Sequence, residues 1–201
     1  MSIRNRAAKG DNVEKRNLTF DYNGKIRVIE ADYEQSRVDF LNTYPQLDLE
    51  VYFSSEVGET AESPLLQQLA DEIEGIDEQE AVNFLLRFVQ TSFKYSTDEK
   101  QFGKENYLFP EETIYYPYSD CEDRSVLFAW LVRRLLNLEV VGLNYPGHVA
   151  TAVQMKHHVE GDYVTYKGKR YTVTDPTYIN ATAGMTMPDY RNTKPGVILI
   201  R

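Results

Sequence analysis

The chain has 201 residues, of which 42% are hydrophobic, and it carries a formal net charge of -9 and a single cysteine. This length and apolar share suffice for one well-cored domain. An acidic surface repels nucleic acid and anionic membranes, so neither is expected as a partner. One cysteine cannot form an internal disulfide, which excludes a disulfide scaffold.

Targeting signals are missing from the sequence. No stretch approaches the ~20 consecutive apolar residues of a membrane span, and residues 1–17 are too polar for a signal peptide. We therefore expect no membrane span. A cytoplasmic location is the default, with export as the alternative if the chain is a processed fragment. The oligomeric state stays unknown at this point.

The N-terminal part predicts strands. Residues 1–16 are charged and lack apolar periodicity, which is typical of a flexible lead-in. Alternating apolar residues then flank Asn23-Gly24, a type I′ turn signal, and predict a β-hairpin. Residues 33–53 indicate strand or mixed structure. We group residues 17–61 as a β-rich N-terminal segment.

Two amphipathic helices are predicted next. One has Pro64 at its first helical position and ends near Gly75, and the other begins around Asp77 and runs through Val89. Residues 91–120 are polar and rich in tyrosine, and we expect a long loop with short helical turns. Long loops on compact domains are often functional.

The most strongly patterned element is a helix from Cys121 to about Leu136. It has an apolar face, acidic residues in its first turn and arginines in its last, which complement the helix dipole. Alternating segments at residues 139–143, 148–155, 163–166, 169–175 and 197–200 predict strands. The predicted fold is therefore α+β, with a helix that carries the cysteine packed on an antiparallel sheet.

Three residues with side chains suited to thiol catalysis lie at the ends of the predicted helix and strands. Cys121 opens the helix, His148 begins a strand after a turn, and Asp175 ends a strand before Pro176. A thiol nucleophile, an imidazole that can take and return a proton, and a carboxylate that orients the imidazole are what a thiol hydrolase or acyltransferase requires. Each residue alone also has an ordinary structural explanation. Their joint placement favours catalysis.

The sequence places opposing influences on the thiol. A helix N-terminus and a neighbouring imidazolium lower the pKa of a cysteine. Asp120, Glu122 and Asp123 would raise the pKa of Cys121 if their side chains pointed at the sulfur. The sequence leaves this conflict open.

Three motifs together resemble the catalytic core of the transglutaminase-like superfamily, in particular its bacterial cysteine-proteinase-like branch. They are Ser-Asp-Cys-Glu-Asp-Arg-Ser, Gly-His-Val-Ala-Thr-Ala-Val and Tyr-Thr-Val-Thr-Asp-Pro-Thr, and the likeness covers residues 62–201. The resemblance implies a papain-like core, a triad of Cys121, His148 and Asp175, and acyl transfer through a thioester. Family members often use an upstream aromatic residue at the oxyanion. Tyr107 occupies a comparable place, and Tyr95 is the second candidate.

The expected function is that of a thiol-dependent peptidase or amidase acting on a peptide or protein amide. One alternative is an amine-transferring, transglutaminase-type acyltransferase, although the tryptophan common in true transglutaminases is absent. Another is a non-catalytic transglutaminase-like module that binds peptides or glycans. The sequence lacks glycine-rich phosphate loops and a His-Glu-x-x-His motif, so no cofactor and no metal is expected.

Overall fold

The computed structural model describes residues 13–200. An N-terminal hairpin is followed by a run of helices and then by an antiparallel sheet. The strands are β1 (Val13–Tyr22), β2 (Lys25–Glu34), β3 (Lys94–Tyr95), β4 (Tyr118–Ser119), β5 (Val140–Tyr145), β6 (His148–Val153), β7 (Tyr163–Tyr166), β8 (Lys169–Thr174) and β9 (Gly196–Ile198). The helices are α1 (Gln35–Leu41), α2 (Leu49–Phe53), α3 (Glu59–Ile73), α4 (Glu78–Ser92), α5 (Asp98–Phe102), α6 (Pro110–Tyr115) and α7 (Cys121–Leu136), with a 3₁₀ turn at Pro188–Tyr190.

The predicted hairpin is present and is longer than expected. Asn23 and Gly24 have φ angles of 53° and 74°, as a type I′ turn requires. Pairing continues to Val13, so residues 13–16 belong to a strand and not to the predicted lead-in, whose residues 1–12 lie outside the described part of the chain. The sequence shows no apolar alternation there because none of residues 13–16 is buried.

Two helical features differ from the sequence prediction. Residues 33–53 contain α1 and α2, whose apolar side chains serve tertiary packing instead of a sheet. Helix α3 begins at Glu59, so Pro64 lies inside the helix and not at its first position. The helix continues across the proline because Ala61, Leu65 and Leu69 bury one stripe at helical spacing.

One hydrophobic core joins the N-terminal segment to the rest of the chain. It includes Leu18 of the hairpin, Phe84 of α4, Trp130 of α7 and Val149 of β6. Helix α7 lies at its centre, because every residue from Ser125 to Val132 is buried. Its N-terminus, and Cys121 with it, is thereby held in a fixed position.

The C-terminal sheet has the strand order β7-β8-β6-β5-β9, and all its pairs are antiparallel, which confirms the α+β class. Tyr145 pairs with His148 across the β5–β6 turn, so His148 is the first residue of β6. Strand β8 runs beside β6 with Thr174 opposite Thr151. The end of β8 therefore delivers Asp175 near the start of β6. Within residues 13–200, no helix combines the length and apolar character needed to cross a bilayer.

Candidate active site

Cys121 is the first residue of α7 and is 8% exposed. Asp120 and Asp123 form a capping box around it: the Asp123 amide donates to Asp120 Oδ1 at 3.4 Å and the Asp120 amide donates to Asp123 Oδ2 at 3.2 Å. Both of these carboxylates are thus turned toward the backbone, where they satisfy free amides of the helix start. This arrangement fixes the start of the helix that bears the thiol.

The thiol is held in its neutral form. Its Sγ donates to Glu122 Oε2 at 2.8 Å. Burial raises the pKa of Cys121, the charge and hydrogen bond of Glu122 raise it further, and a backbone hydrogen bond from Val149 opposes them only in part. In the conflict left open by the sequence, burial and then Glu122 outweigh the influences that lower the pKa of Cys121. The lowered pKa expected at a helix N-terminus does not occur in this arrangement.

The start of β6 packs against the first turns of α7. Ser125 Oγ donates to the Val149 carbonyl at 3.1 Å, and the Val149 backbone also hydrogen-bonds the thiol. His148 directly precedes Val149 and is buried. The backbone contacts therefore bring His148 to the same end of α7 as Cys121, although no hydrogen bond joins their side chains within residues 13–200.

His148 and Asp175 form a buried pair. His148 Nε2 lies 2.9 Å from Asp175 Oδ2, and both side chains are at most 6% exposed. Asp175 Oδ1 accepts the backbone amides of Thr177 at 2.9 Å and Tyr178 at 3.1 Å, which fixes the plane of the carboxylate. Since a carboxylate only accepts, Nε2 carries the proton and Nδ1 is the basic nitrogen of the neutral ring.

Aromatic rings hold the imidazole from the side. Tyr190, from the 3₁₀ turn, stacks on His148 with ring centroids 4.9 Å apart and planes 12° apart. Tyr145 stacks more distantly, at 6.3 Å, and packs on Tyr190 at 5.0 Å. Tyr190 was not predicted as a site residue, because only the fold brings this distant aromatic residue to His148. These contacts limit rotation of the ring.

Three buried carboxylates lie beside the nucleophile. Ligand atoms of Asp98, Asp120 and Asp123 are all within 4.8 Å of one another. Burial, followed by the mutual repulsion of neighbouring acids, raises the pKa of Asp120 to about 8 and places the pKa of Asp123 well above its usual range. Burial raises the pKa of Asp98 to about 6. Such a group can share protons or accept a hard cation.

This carboxylate cluster was not predicted from the sequence, where no metal site is expected. Asp98 is distant in sequence from the acids around Cys121, and α5 brings it to them. Backbone amides satisfy part of the cluster: the Asn106 amide donates to Asp98 Oδ2 at 2.7 Å and the Leu108 amide donates to Asp123 Oδ1 at 2.9 Å. The acidic run Ser-Asp-Cys-Glu-Asp was the available signal.

The two tyrosines considered for the oxyanion take different positions. The Tyr107 hydroxyl hydrogen-bonds Glu105, and its ring packs edge-to-face on Tyr52 at 5.7 Å. Burial and then the proximity of Cys121 raise the pKa of Tyr95 to about 12. The Arg124 guanidinium lies 5.5 Å from the Tyr95 ring centroid. Tyr95 pairs with Ser119, two residues before Cys121, and the role of Tyr107 stays a prediction.

A cleft of about 540 Å³ adjoins the histidine side of the site. Tyr145 and Tyr190, the two rings stacked on His148, form part of its wall. Its remaining surface mixes apolar residues of the sheet with polar groups, among them Val173, Val197, Thr186 and Lys194. The cleft is large enough for one or two side chains of a bound peptide.

Comparisons with known proteins give partial similarities. No family model matches the chain. Over 89 residues it is 36% identical to a UPF0313 protein of Pseudomonas aeruginosa, which corresponds to 43% of this chain and 12% of that protein. The chain therefore spans a small fraction of the length of this curated relative.

The fold also overlaps with a Cytophaga hutchinsonii protein that was crystallised under a provisional assignment as a cysteine protease. The TM-score is 0.44 at 12% identity, covering 96% of this chain and 77% of that one. Neither similarity assigns the chain to a family.

Proposed function

We propose that the protein is a thiol-dependent amide hydrolase, a peptidase or amidase, in which Cys121 is the nucleophile and His148 the general base. The observation that carries the proposal is the buried 2.9 Å pair of His148 and Asp175 at the start of β6. Backbone contacts of Val149 tie this strand to the helix start that bears the thiol. A helix-borne cysteine beside a sheet-borne histidine and aspartate also supports a papain-like core of the transglutaminase-like type.

The proposed reaction begins with proton transfer from the Cys121 thiol to His148 Nδ1. The thiolate attacks the amide carbonyl carbon, and the resulting oxyanion is met by the Cys121 backbone amide at the helix start. When the C–N bond breaks, the imidazolium gives its proton to the leaving amine and a thioester remains. Water, deprotonated by the same nitrogen, then cleaves the thioester and restores the thiol.

Glu122 has a defined place in this proposal. Because the resting thiol donates to Glu122 Oε2, that bond must break before the proton can pass to His148. A bound substrate that displaces the Glu122 side chain would remove the interaction that stabilises the neutral thiol. Candidate phenol donors for the oxyanion are Tyr107, as the family resemblance implies, and Tyr95, whose strand pairs with Ser119 just before Cys121.

The test is substrate profiling with a mixed peptide library, comparing the wild-type protein with Cys121→Ala. We expect cleaved amide bonds with the wild type and none with the variant, while both melt at similar temperatures. A primary amine added to the same assay separates the alternatives: its incorporation into the peptides identifies amine transfer. Peptide binding without either product supports the non-catalytic module and rejects the enzyme.

A further inference from the structure

Helix α4 presents a polar stripe to the segment that contains Asp175. Asn83, Arg87 and Gln90 lie at helical spacing on one side of this helix. Asn83 Oδ1 accepts the Ala183 amide at 2.9 Å, and Arg87 Nη1 donates to Asn180 Oδ1 at 2.7 Å. The stripe thus holds residues 175–183 at successive points along its length.

Gln90 is the most unusual member of the stripe. It is 1% exposed, in a helix whose other inward residues are apolar. Burying a carboxamide is unfavourable unless it is hydrogen-bonded. Its Nε2 lies 3.1, 2.9 and 3.1 Å from three backbone carbonyl oxygens, so its two hydrogens are shared among three acceptors, while its Oε1 has no partner within residues 13–200. The three carbonyls, which fix the orientation of the amide, belong to Asp175, Tyr178 and Ala181.

These carbonyls surround the turn that orients the Asp175 carboxylate. Inside the turn, the amides of Thr177 and Tyr178 donate to Asp175 Oδ1. The Gln90 side chain binds the Asp175 and Tyr178 carbonyls of this turn and the Ala181 carbonyl that follows it. Both sets of hydrogen bonds hold the same stretch of backbone, and Asp175 Oδ2 is directed at His148.

The backbone of Gln90 connects the turn to the nucleophile-bearing helix. Its carbonyl accepts Arg124 Nη1 at 3.2 Å, and the Phe93 carbonyl accepts Arg124 Nη2 at 2.8 Å. Arg124 is buried in the first turn of α7, close to Cys121. A continuous set of buried hydrogen bonds therefore runs from the start of α7 through Gln90 to the Asp175 turn.

We propose that Gln90 is a positioning residue: its carboxamide fixes the turn that aims the Asp175 carboxylate at His148. The inference rests on the proposed function, because Gln90 acts through the proposed base and its orienting acid. Gln90 itself has no contact with the sulfur, and we assign it no part in proton transfer.

A matched pair of substitutions tests the proposal. Gln90→Met and Asn83→Leu each replace a carboxamide by an apolar side chain of similar size on the same helix. Both loosen the attachment of residues 175–183, but only the first removes hydrogen bonds from the Asp175 turn. A merely structural role predicts similar results for the two variants.

The readout is the Nε2-bound proton of His148, observed by NMR in histidine-labelled protein. The chain has three histidines, and His148→Ala identifies the signal. We expect this proton to exchange with water about tenfold faster in Gln90→Met, and turnover to fall about tenfold or more with KM retained, because small displacements of catalytic groups are costly. Asn83→Leu should leave both unchanged. Wild-type exchange in Gln90→Met, or equal acceleration in Asn83→Leu, overturns the proposal.

Gln90→Glu keeps the test decisive if the methionine variant does not fold. Its protonated carboxyl can donate one hydrogen bond to the turn and its ionised form none, so the His148 proton should exchange increasingly faster than in the wild type as pH rises. A pH dependence identical to that of the wild type contradicts the positioning role. The NMR signal does not require Cys121 chemistry. A Gln90-dependent signal in a chain without amide turnover therefore overturns the proposed function alone.

Discussion

The two halves of the candidate site are prepared in different ways. In the histidine half, Asp175 accepts hydrogen bonds from two backbone amides and from His148. Tyr190 stacks on the imidazole. In the cysteine half, the thiol donates to Glu122 beside three buried carboxylates. The base is thus aligned before any substrate arrives, while the nucleophile is kept neutral. Under the proposed function, deprotonation of the thiol is then the costly step.

Removing the negative charge of Asp175 should have the largest effect. In Asp175→Asn we expect turnover to fall by about 10³-fold or more, because an amide can stabilise the wrong imidazole tautomer and does not stabilise the imidazolium. The melting temperature should stay close to that of the wild type. The exposed Asp189, substituted by asparagine, is the control. Full activity in Asp175→Asn would reject its assignment and make Asn180 the next candidate.

The two tyrosines provide a second test on the cysteine side. If Tyr107 donates to the oxyanion, Tyr107→Phe lowers turnover by roughly 10²-fold while alkylation of the thiol stays nearly unchanged. If the Tyr95 hydroxyl donates instead, Tyr95→Phe has that effect and Tyr107→Phe has none. Turnover and iodoacetamide labelling of both variants decide between them. Normal turnover in both would remove side-chain phenols from the mechanism.

Substituting Glu122 should reduce the difference between the histidine half and the cysteine half of the site. Glu122→Gln removes the negative charge that stabilises the neutral thiol, so the pKa of Cys121 should fall toward its ordinary value. We expect alkylation at pH 7 to accelerate by about tenfold, since the thiolate is the reactive form. Glu99→Gln, at an exposed position nearby, should have no effect. Unchanged or slower labelling in Glu122→Gln would show that Glu122 does not hold the thiol neutral.

The buried acids predict a smaller effect on stability. The pKa values of Asp98 and Asp120, about 6 and about 8, lie above the value of ~4 expected in the unfolded chain. The folded state therefore binds these protons more tightly, and their contribution is complete below pH ~4 and lost as pH rises through the folded pKa values. We expect the melting temperature to drop by roughly 2–4 °C between pH 5.5 and pH 8.5. Asp120→Asn should reduce this drop, and an equal drop in the variant would contradict the assignment.

Much of the fold was predictable from local patterns. The hairpin turn at Asn23-Gly24, helix α7 and the antiparallel strands have periodicities that the structure confirms. Helices α1 and α2 were not predicted, because their few apolar residues are placed by tertiary packing. Helix α3 was predicted to begin at Pro64, but burial of its apolar stripe outweighs that local signal.

The site was predictable only as residue types at suitable positions. His148 and Asp175 could be placed at neighbouring strand ends, and the structure joins them. Tyr190 and Gln90 could not be identified from sequence, because only the fold brings them to His148 and to the Asp175 turn. The direction of the Cys121 pKa shift depended on where the neighbouring acids point, which the sequence does not contain.

Acylation of Cys121 by a small activated ester, followed by mass spectrometry, tests the central claim that the two halves act together. We expect a transient thioester on Cys121 in the wild-type protein, and formation slowed by about 10²-fold in His148→Ala, because the aligned base must remove the thiol proton. Equal rates in the two proteins would contradict the claim and leave Cys121 and His148 as independent residues.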